Sequence, residues 1–382
     1  MKKFLSVILC ISIMCSSVAC GKKNSNTSNA DEQFNLFLYT RMSNGVLYYG
    51  KGTLAEFLDF NTMESTSLCN IPNCNHMTSQ CLVSALDNSG QLPVIYNNCA
   101  YYFSNYWGTI TNDEGLRAYD LKATILKYDF NKMEISKVTQ IEGYMANEDD
   151  GSYLIGNEYY FTTNNGEPYY DEEGNVSGGG SGGQAKVYSI NLDTEEVTDY
   201  GEVFEYKPDS KVSTRTRIFG KDGDKLYLVV SRVTTSMICT EKIYSFDTKT
   251  HKIEEVCDGY AICAGDGYMV YYSVNGSFET FDLSGRDEEF KMWLKDTKTG
   301  EVIEGPVIGF DYQHVSIFNN KVWFDGTCYD IATNRVEKVT DLISSSVQGI
   351  YDNHYIISGL TAEEEKLTFE KIPCEEIDSL FE

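Results

Sequence analysis

A hairpin recurs seven times along the chain, and that recurrence limits the fold more than any other feature. The copies read YTRMSNGVLYYG, PVIYNNCAYYFS, YLIGNEYYFT, FGKDGDKLYLVV, CAGDGYMVYYS, IFNNKVWFDG and IYDNHYIISG. They begin near residues 37, 93, 153, 219, 263, 317 and 350. In each, a β-rich run meets an Asn, Asp or Gly turn that supplies the positive φ of a tight hairpin, and then an aromatic or branched strand. A second motif follows each hairpin, a strand running into a polar turn: EFLDFNTME, LKYDFNKMEIS, YSINLDTEEVT, YSFDTKTHKIEEV, MWLKDTKTGEVI and CYDIATNRVEKV. The seventh, LTFEKIPCEEI, is degenerate, as terminal repeats often are.

Two hairpins per unit give four strands, and the units recur every 33 to 66 residues. That pattern predicts an all-β chain built as a seven-bladed β-propeller of four-stranded antiparallel blades, with six or eight blades as the alternative count. Strand composition agrees. Consecutive apolar residues project to opposite faces of a sheet, so VLYY, LYLVV and YMVYY need cover on both. A two-sheet sandwich covers only one face and ranks second. The middle of the chain has no apolar helical period of useful length. The single helix expected is PCEEIDSLFE at the end, with Ile377, Leu380 and Phe381 on one side.

The N-terminus predicts an address. Lys2 and Lys3 precede an apolar run of eleven residues, Phe4 to Met14, too short for a finished membrane span and flanked as a secretory signal is. Ser17-Val18-Ala19-Cys20 resembles a bacterial lipobox, with Ser17 where leucine is usual. Residues 1–19 therefore read as a lipoprotein signal peptide and Cys20 as the lipid anchor. Simple cleavage after Ala19 is the alternative. Residues 20–33 hold no apolar side chain larger than alanine after the cysteine and read as a flexible tether. Residues 34–382 form one domain.

The chain carries a formal charge of −26, or −28 once Lys2 and Lys3 are removed. Such a surface repels nucleic acid and anionic headgroups, so neither is an expected partner and the lipid alone holds the membrane. Of twelve cysteines, Cys10 and Cys15 leave with the signal and Cys20 is acylated, which leaves nine. An odd number cannot pair completely within one chain. Were Cys69, Cys74 and Cys81 to hold a metal, the remaining six could pair.

Those three cysteines lie in LCNIPNCNHMTSQC, a loop between the first and second repeats that also contains His76. Cys69, Cys74, His76 and Cys81 make a complete Cys3His set for a tetrahedral structural zinc. A disulfide is the rival, favoured by an extracellular setting. A bridge, however, uses two groups of four and leaves a thiol beside it. The loop has only Leu68, Ile71, Met77 and Leu82 as sizeable apolar groups, so either device would replace a core.

Other motif matches fail on context. Gly179-Gly180-Ser181-Gly182-Gly183 satisfies G-x-S-x-G but lacks the strand and helix of a nucleophile elbow. The Gly45 to Lys51 stretch lacks the Ser/Thr of a phosphate loop, and Asp222-Gly223-Asp224 is hairpin-turn chemistry. The histidines, His76, His251, His314 and His354, fall in different repeats. An insertion from Asn164 to Gln184 places Tyr169, Tyr170, Asp171, Glu172 and Glu173 before a glycine run. Aromatic and carboxylate groups on a long loop suit a sugar or peptide ligand. An acidic flap is the plainer reading.

Lipobox, polar tether and YYF/Y-x-x-D repeats together resemble the poorly characterised propeller lipoproteins of anaerobic Gram-positive bacteria. That group is related to TolB-type and low-density-lipoprotein-receptor-type propellers. The C-x4-C-x-H-x4-C segment resembles one recurring there. The resemblance implies a fold and a location on the outer face of the cell membrane, and no activity. The expectation is a non-enzymatic propeller that binds or scaffolds an extracellular ligand or protein. The rival is an extracellular enzyme acting on glycans or peptides, which would need carboxylates gathered at the central mouth.

Overall fold

A computed structural model describes residues 32–36, 39–50, 54–76, 81–89, 92–111, 117–146, 151–164, 168–170, 176–179, 185–204, 212–234, 236, 238–279, 281–282, 290–308, 315–360 and 367–382. The chain is all-β, and every quoted hairpin is one. Each opens an antiparallel meander. The first runs Tyr39–Met42, Gly45–Tyr49, Ala55–Asp59, Glu64–Ser67, and the second Val94–Tyr96, Cys99–Thr111, Arg117–Asp129, Glu134–Glu142. The third is Ser152–Ile155, Glu158–Asn164, Ala185–Asn191, Val197–Glu202, and the fourth Val212–Asp222, Lys225–Thr234, Ile238–Asp247, Ile253–Asp258. The fifth is Tyr260–Gly265, Tyr268–Val274, Phe290–Asp296, Val302–Ile308, and the sixth Ser316–Phe318, Lys321–Phe324, Thr327–Asp330, Arg335–Lys338. The seventh has three strands, Ile343–Tyr351, His354–Leu360 and Leu367–Pro373.

Turn chemistry explains the repeat. Asn97-Asn98, Asn319-Asn320 and Asp352-Asn353 have φ between 46° and 59°, the geometry of the tightest hairpins. In the second motif, an Asp or Asn closing the third strand accepts two backbone N–H groups ahead of it. Asp59 takes those of Asn61 and Thr62, Asp129 those of Asn131 and Lys132, and Asp296 those of Lys298 and Thr299. Asn191 and Asp247 do the same. The residue four places on is left-handed each time: Met63, Met133, Glu195, His251 and Gly300. The backbone N–H of Thr250 in turn holds the Asp247 carboxyl below the usual range. The side chain here does the turn's hydrogen bonding, which is why the polar pattern survives while the sequence around it changes.

The apolar pattern sorts into clusters between successive meanders. Tyr101 and Phe103 pack toward the third meander, whereas Ala100 and Tyr102 of the same strand pack toward the first. Leu226 and Leu228 face the third meander, while Tyr227 and Val229 face the fifth. Val270 and Tyr272 meet the sixth meander, and Trp323 and Cys328 of the sixth meet the seventh. The last cluster joins Val46, Tyr48 and Phe60 of the first meander to Ile356 of the seventh. Burying an apolar side chain is worth ~1.5–3 kcal/mol. A run of four such residues, as in Leu226 to Val229, therefore contributes on the order of 6–12 kcal/mol gross. That is why the second strands of the hairpins carry the consecutive aromatics.

The centre is organised by a strand of its own, Glu32–Leu36. It pairs antiparallel with Tyr39–Met42 on one side and Ser152–Ile155 on the other, joining the first and third meanders in one sheet. Gln33 exchanges side-chain hydrogen bonds with the backbone of Ile95, so the second meander is held too. The first strand begins at Glu32, two residues before the domain's expected start at 34, and Glu32 and Gln33 each have a polar partner inside the fold. The rest of residues 20–33, the signal 1–19 and the anchor Cys20 lie outside the described residues. Within this sheet Glu32 sits beside Ile155, at the end that carries the Asn44-Gly45 turn. Ser67 and Asn164 leave at the opposite end, so the cysteine loop and the long insertion both emerge away from Glu32.

Three expectations need correction. A helix, α1 (Leu82–Ser89), stands in the first crossover, where none was predicted. It is short, but Leu82, Val83 and Leu86 are buried, and Leu82 and Leu86 join Leu68 and Leu92 in the apolar cluster that also holds Phe57 of the first meander and Tyr102 of the second. The crossover is therefore packed into the core between those two meanders. The C-terminal helix, α2 (Cys374–Ser379), forms with Ile377 and Phe381 buried, but Leu380 is exposed. Finally, all nine described cysteines are free. Cys99, Cys239, Cys263, Cys328 and Cys374 are core residues on separate strands or helices, and burial pushes the Cys239 and Cys263 thiols up to about 12. They behave as small apolar side chains.

Gly220 marks where the innermost strands of the fourth and fifth meanders run parallel, opposite Ala264. A Cβ there would lie 2.3 Å from Ala264 N and 2.5 Å from Ala264 O. Gly220→Ala is expected to cost ~1–3 kcal/mol by overpacking. A chemical-denaturation midpoint within error of the wild type would contradict this close approach.

Candidate metal centre

Cys69, Cys74, His76 and Cys81 come together. Their ligand atoms all lie within 4.8 Å of one another. The Cys69 and Cys81 sulfurs are 3.6 Å apart, and His76 Nδ1 is 3.5 Å from Cys81 Sγ. The backbone N–H of His76 points at Cys74 Sγ, 3.3 Å away. A tetrahedral zinc with bonds of ~2.3 Å to sulfur and ~2.0–2.1 Å to nitrogen has edges of roughly 3.5–3.8 Å. The spacing fits that figure, and no sulfur–sulfur bond is present.

Local structure explains the convergence. Leu68 N–H bonds Ala55 O, which ends the first meander and aims Cys69 inward. Cys74 N–H closes a turn on Ile71 O, and Asn73 and His76 both adopt left-handed φ, 56° and 58°, curling the loop back. Cys81 is fully buried at the foot of α1, whose Ala85 N–H bonds Cys81 O. Asn70 fastens the loop to the second meander: Tyr128 Oη–H donates to its Oδ1 at 2.7 Å, and its Nδ2 donates to Phe130 O at 2.6 Å. Burial first, with smaller contributions from Cys81 and Cys74, pushes the Cys69 thiol up to about 12. Three sulfurs and one imidazole nitrogen gathered within 4.8 Å of one another are a donor set that could hold a thiophilic metal.

The other predicted residues are not gathered. Tyr169 and Tyr170 lie in the strand Pro168–Tyr170, which pairs with Val176–Gly179 as a small separate hairpin. Asp171, Glu172, Glu173 and His314 lie outside the described residues. His251 occupies a left-handed turn position beside Tyr200, and His354 begins a strand, so neither meets the cluster.

A second group was missed by sequence reasoning. Arg41, in the innermost strand of the first meander, donates through Nε to Gln348 Oε1 of the seventh at 3.1 Å. Lys221 of the fourth meander pairs with Glu32 at 2.9 Å. These groups surround the central strand. The signal available was one arginine in YTRM, between residues that alternate with buried ones.

No protein-family model and no curated protein matches the chain. Solved structures to which it is similar include TolB from Acinetobacter baumannii, at 12% identity over 88% of this chain and 79% of that one, with a TM-score of 0.28. The β-propeller domain of the Trilobed protease from Pyrococcus furiosus gives 12% identity, 87% and 92% coverage and a TM-score of 0.38. An acylaminoacyl peptidase from Pyrococcus horikoshii gives 14% identity, a TM-score of 0.38, and 87% coverage of this chain against 48% of its own. The architecture described above rests on the sheets and clusters themselves.

Proposed function

We propose that the chain is a lipid-anchored, extracellular seven-bladed propeller that binds a ligand or partner protein without transforming it, and that its Cys3His cluster holds a structural zinc. The observation that carries the non-enzymatic reading is the centre. The mouth where a propeller enzyme would assemble carboxylates is crossed by Glu32–Leu36, and the charged groups described on the strands around it are the Lys221–Glu32 ion pair, Arg41, and Arg215 and Arg217 of the fourth meander facing the buried Glu241. Hydrolysis of a glycoside needs two carboxyl groups ~5 to 9.5 Å apart. A closed ring is supported by the cluster that unites the first and seventh meanders. Zinc is favoured over other ions by a thiolate-rich tetrahedral donor set. A closed four-ligand site has no open position for catalysis.

Anchoring by lipid is supported by Ser17 to Cys20, and no helix among the described residues is long and apolar enough to cross a membrane. The domain begins at the sheet end opposite the cysteine loop and the insertion, so a tether at Glu32 leaves those segments directed away from the membrane. Cys20→Ser is expected to move the protein from the membrane fraction to the medium. Continued membrane fractionation of that variant would sink the anchor.

A further inference from the structure

We propose that the centre of the molecule contains an oxyanion-binding site built on Arg41, which receives the carboxylate or phosphate of a small ligand carrying a flat apolar ring. The proposal rests on the binding reading above and locates the ligand.

Register fixes the site. Arg41 stands directly across from Phe34, and Phe34 directly across from Tyr153, so the three side chains leave one face of the central sheet in a row. The Phe34 and Tyr153 rings stack at 4.2 Å. The opposite wall comes from the sixth and seventh meanders. Phe318 lies 6.0 Å from the Arg41 guanidinium, and Gln348 accepts its Nε–H. Gln348 is itself held by donating to Ser346 Oγ at 2.7 Å and Ser358 Oγ at 2.6 Å, which aims its oxygen at Arg41. On the strand that carries Phe318, two residues back, the Ser316 hydroxyl is 1% exposed and has no hydrogen-bond partner among the described residues.

The charge is unanswered. A guanidinium has five N–H donors, and Gln348 takes one. The titratable groups around Arg41 are Tyr153, Tyr39 and Cys263, and burial raises all three, so each is neutral at pH 7. Glu32, the acid on the same strand face as Phe34, is spent on Lys221. An enclosed charge without a counter-ion is costly. In a chain of net charge −26, a cation with no carboxylate partner among the described residues is therefore a specific feature. With Nε engaged, the two terminal nitrogens remain for a bidentate oxyanion. The flanking aromatic rings suit a flat group attached to it.

Thermal unfolding of the chain from residue 21, titrated with inorganic phosphate and separately with benzoate, tests the site against sodium chloride at matched ionic strength. At least one anion is expected to raise the unfolding temperature of the wild type, and the two arms tell phosphate from carboxylate. Arg41→Gln should abolish the shift. Because that variant could fold poorly, Gln348→Glu serves as the second. It sets a carboxylate against the guanidinium, while the Ser346 and Ser358 hydroxyls rotate to donate to it. It should fold at least as well as the wild type and bind the anion at least tenfold more weakly. No shift in the wild type with either anion, or an undiminished shift in Gln348→Glu, overturns the site and leaves the scaffold reading standing. Conversion of benzoate to a product would overturn the non-enzymatic reading and leave the site standing.

Discussion

One zinc ion per chain is the expected result of metal analysis on the purified domain from residue 21, with no loss of hydrogens to a Cys69–Cys81 bridge. Cys81→Ser should lose the metal, because it removes the one fully buried ligand, the one placed at the foot of α1. His76→Ala should weaken it markedly, since His76 supplies the only nitrogen of the four donors. A site of this kind stabilises by mass action, about 4 kcal/mol when free zinc exceeds its Kd a thousandfold. A strong chelator should therefore remove several kcal/mol. The loss should be local at first. The crossover's Leu68, Leu82, Leu86 and Leu92 are held in the cluster of Phe57 and Tyr102, and Asn70 stays bonded to Tyr128 and Phe130. Loosening should thus appear in α1 and the flanking strands before the distant meanders. A metal-free protein in which His76→Ala keeps full thermal stability would identify the cluster as a staple or as idle thiols. The pH dependence has a fixed sign. Protons compete with the metal for thiolates and imidazole, so zinc should be released on acidification.

Much of the architecture was legible in the sequence, for identifiable reasons. The hairpin turns and the Asp-led turns are local hydrogen-bonding devices, and local devices leave their residues adjacent in the chain. Asp129-Phe130-Asn131-Lys132-Met133 contains the acceptor, both donors and the left-handed residue of one turn. The Cys3His cluster was legible on the same ground, since its ligands span one loop. Helix α1 was not, because eight residues are too few for a periodic signal and its stability comes from Phe57 and Tyr102, far away in sequence. Arg41 was not either. Its meaning depends on Phe318 and Gln348, roughly three hundred positions on, and on a strand that the tether's polar composition concealed. Residues whose role is set by contacts between the two ends of the chain carry no local mark.

The contact between the first and seventh meanders yields the other large effect expected. Among the described residues the seventh meander has three strands, and none of them is the first strand, Glu32–Leu36, which pairs instead with the innermost strands of the first and third meanders. The first and seventh meanders are therefore joined through side chains. Phe60 is fully buried at that seam, 6.4 Å from Tyr351, and Gly349 gives it room: a Cβ on Gly349 would stand 3.0 Å from the Phe60 ring. Tyr48 meets Phe369 edge-on at 4.9 Å beside it. Phe60→Ala is expected to cost ~3–5 kcal/mol, since rigid neighbours on both sides prevent the cavity from collapsing. Its distribution distinguishes a ring from a row. In an open array each unit answers only to its neighbours, so damage at the first unit would spare the last. In a ring the same lesion opens both sides of the seam. Hydrogen exchange on Phe60→Ala should therefore lose protection in Gly45–Tyr49 and in His354–Leu360 together, with Leu226 to Val230 of the fourth meander least affected. Loss confined to the first meander would mean that the two ends merely touch.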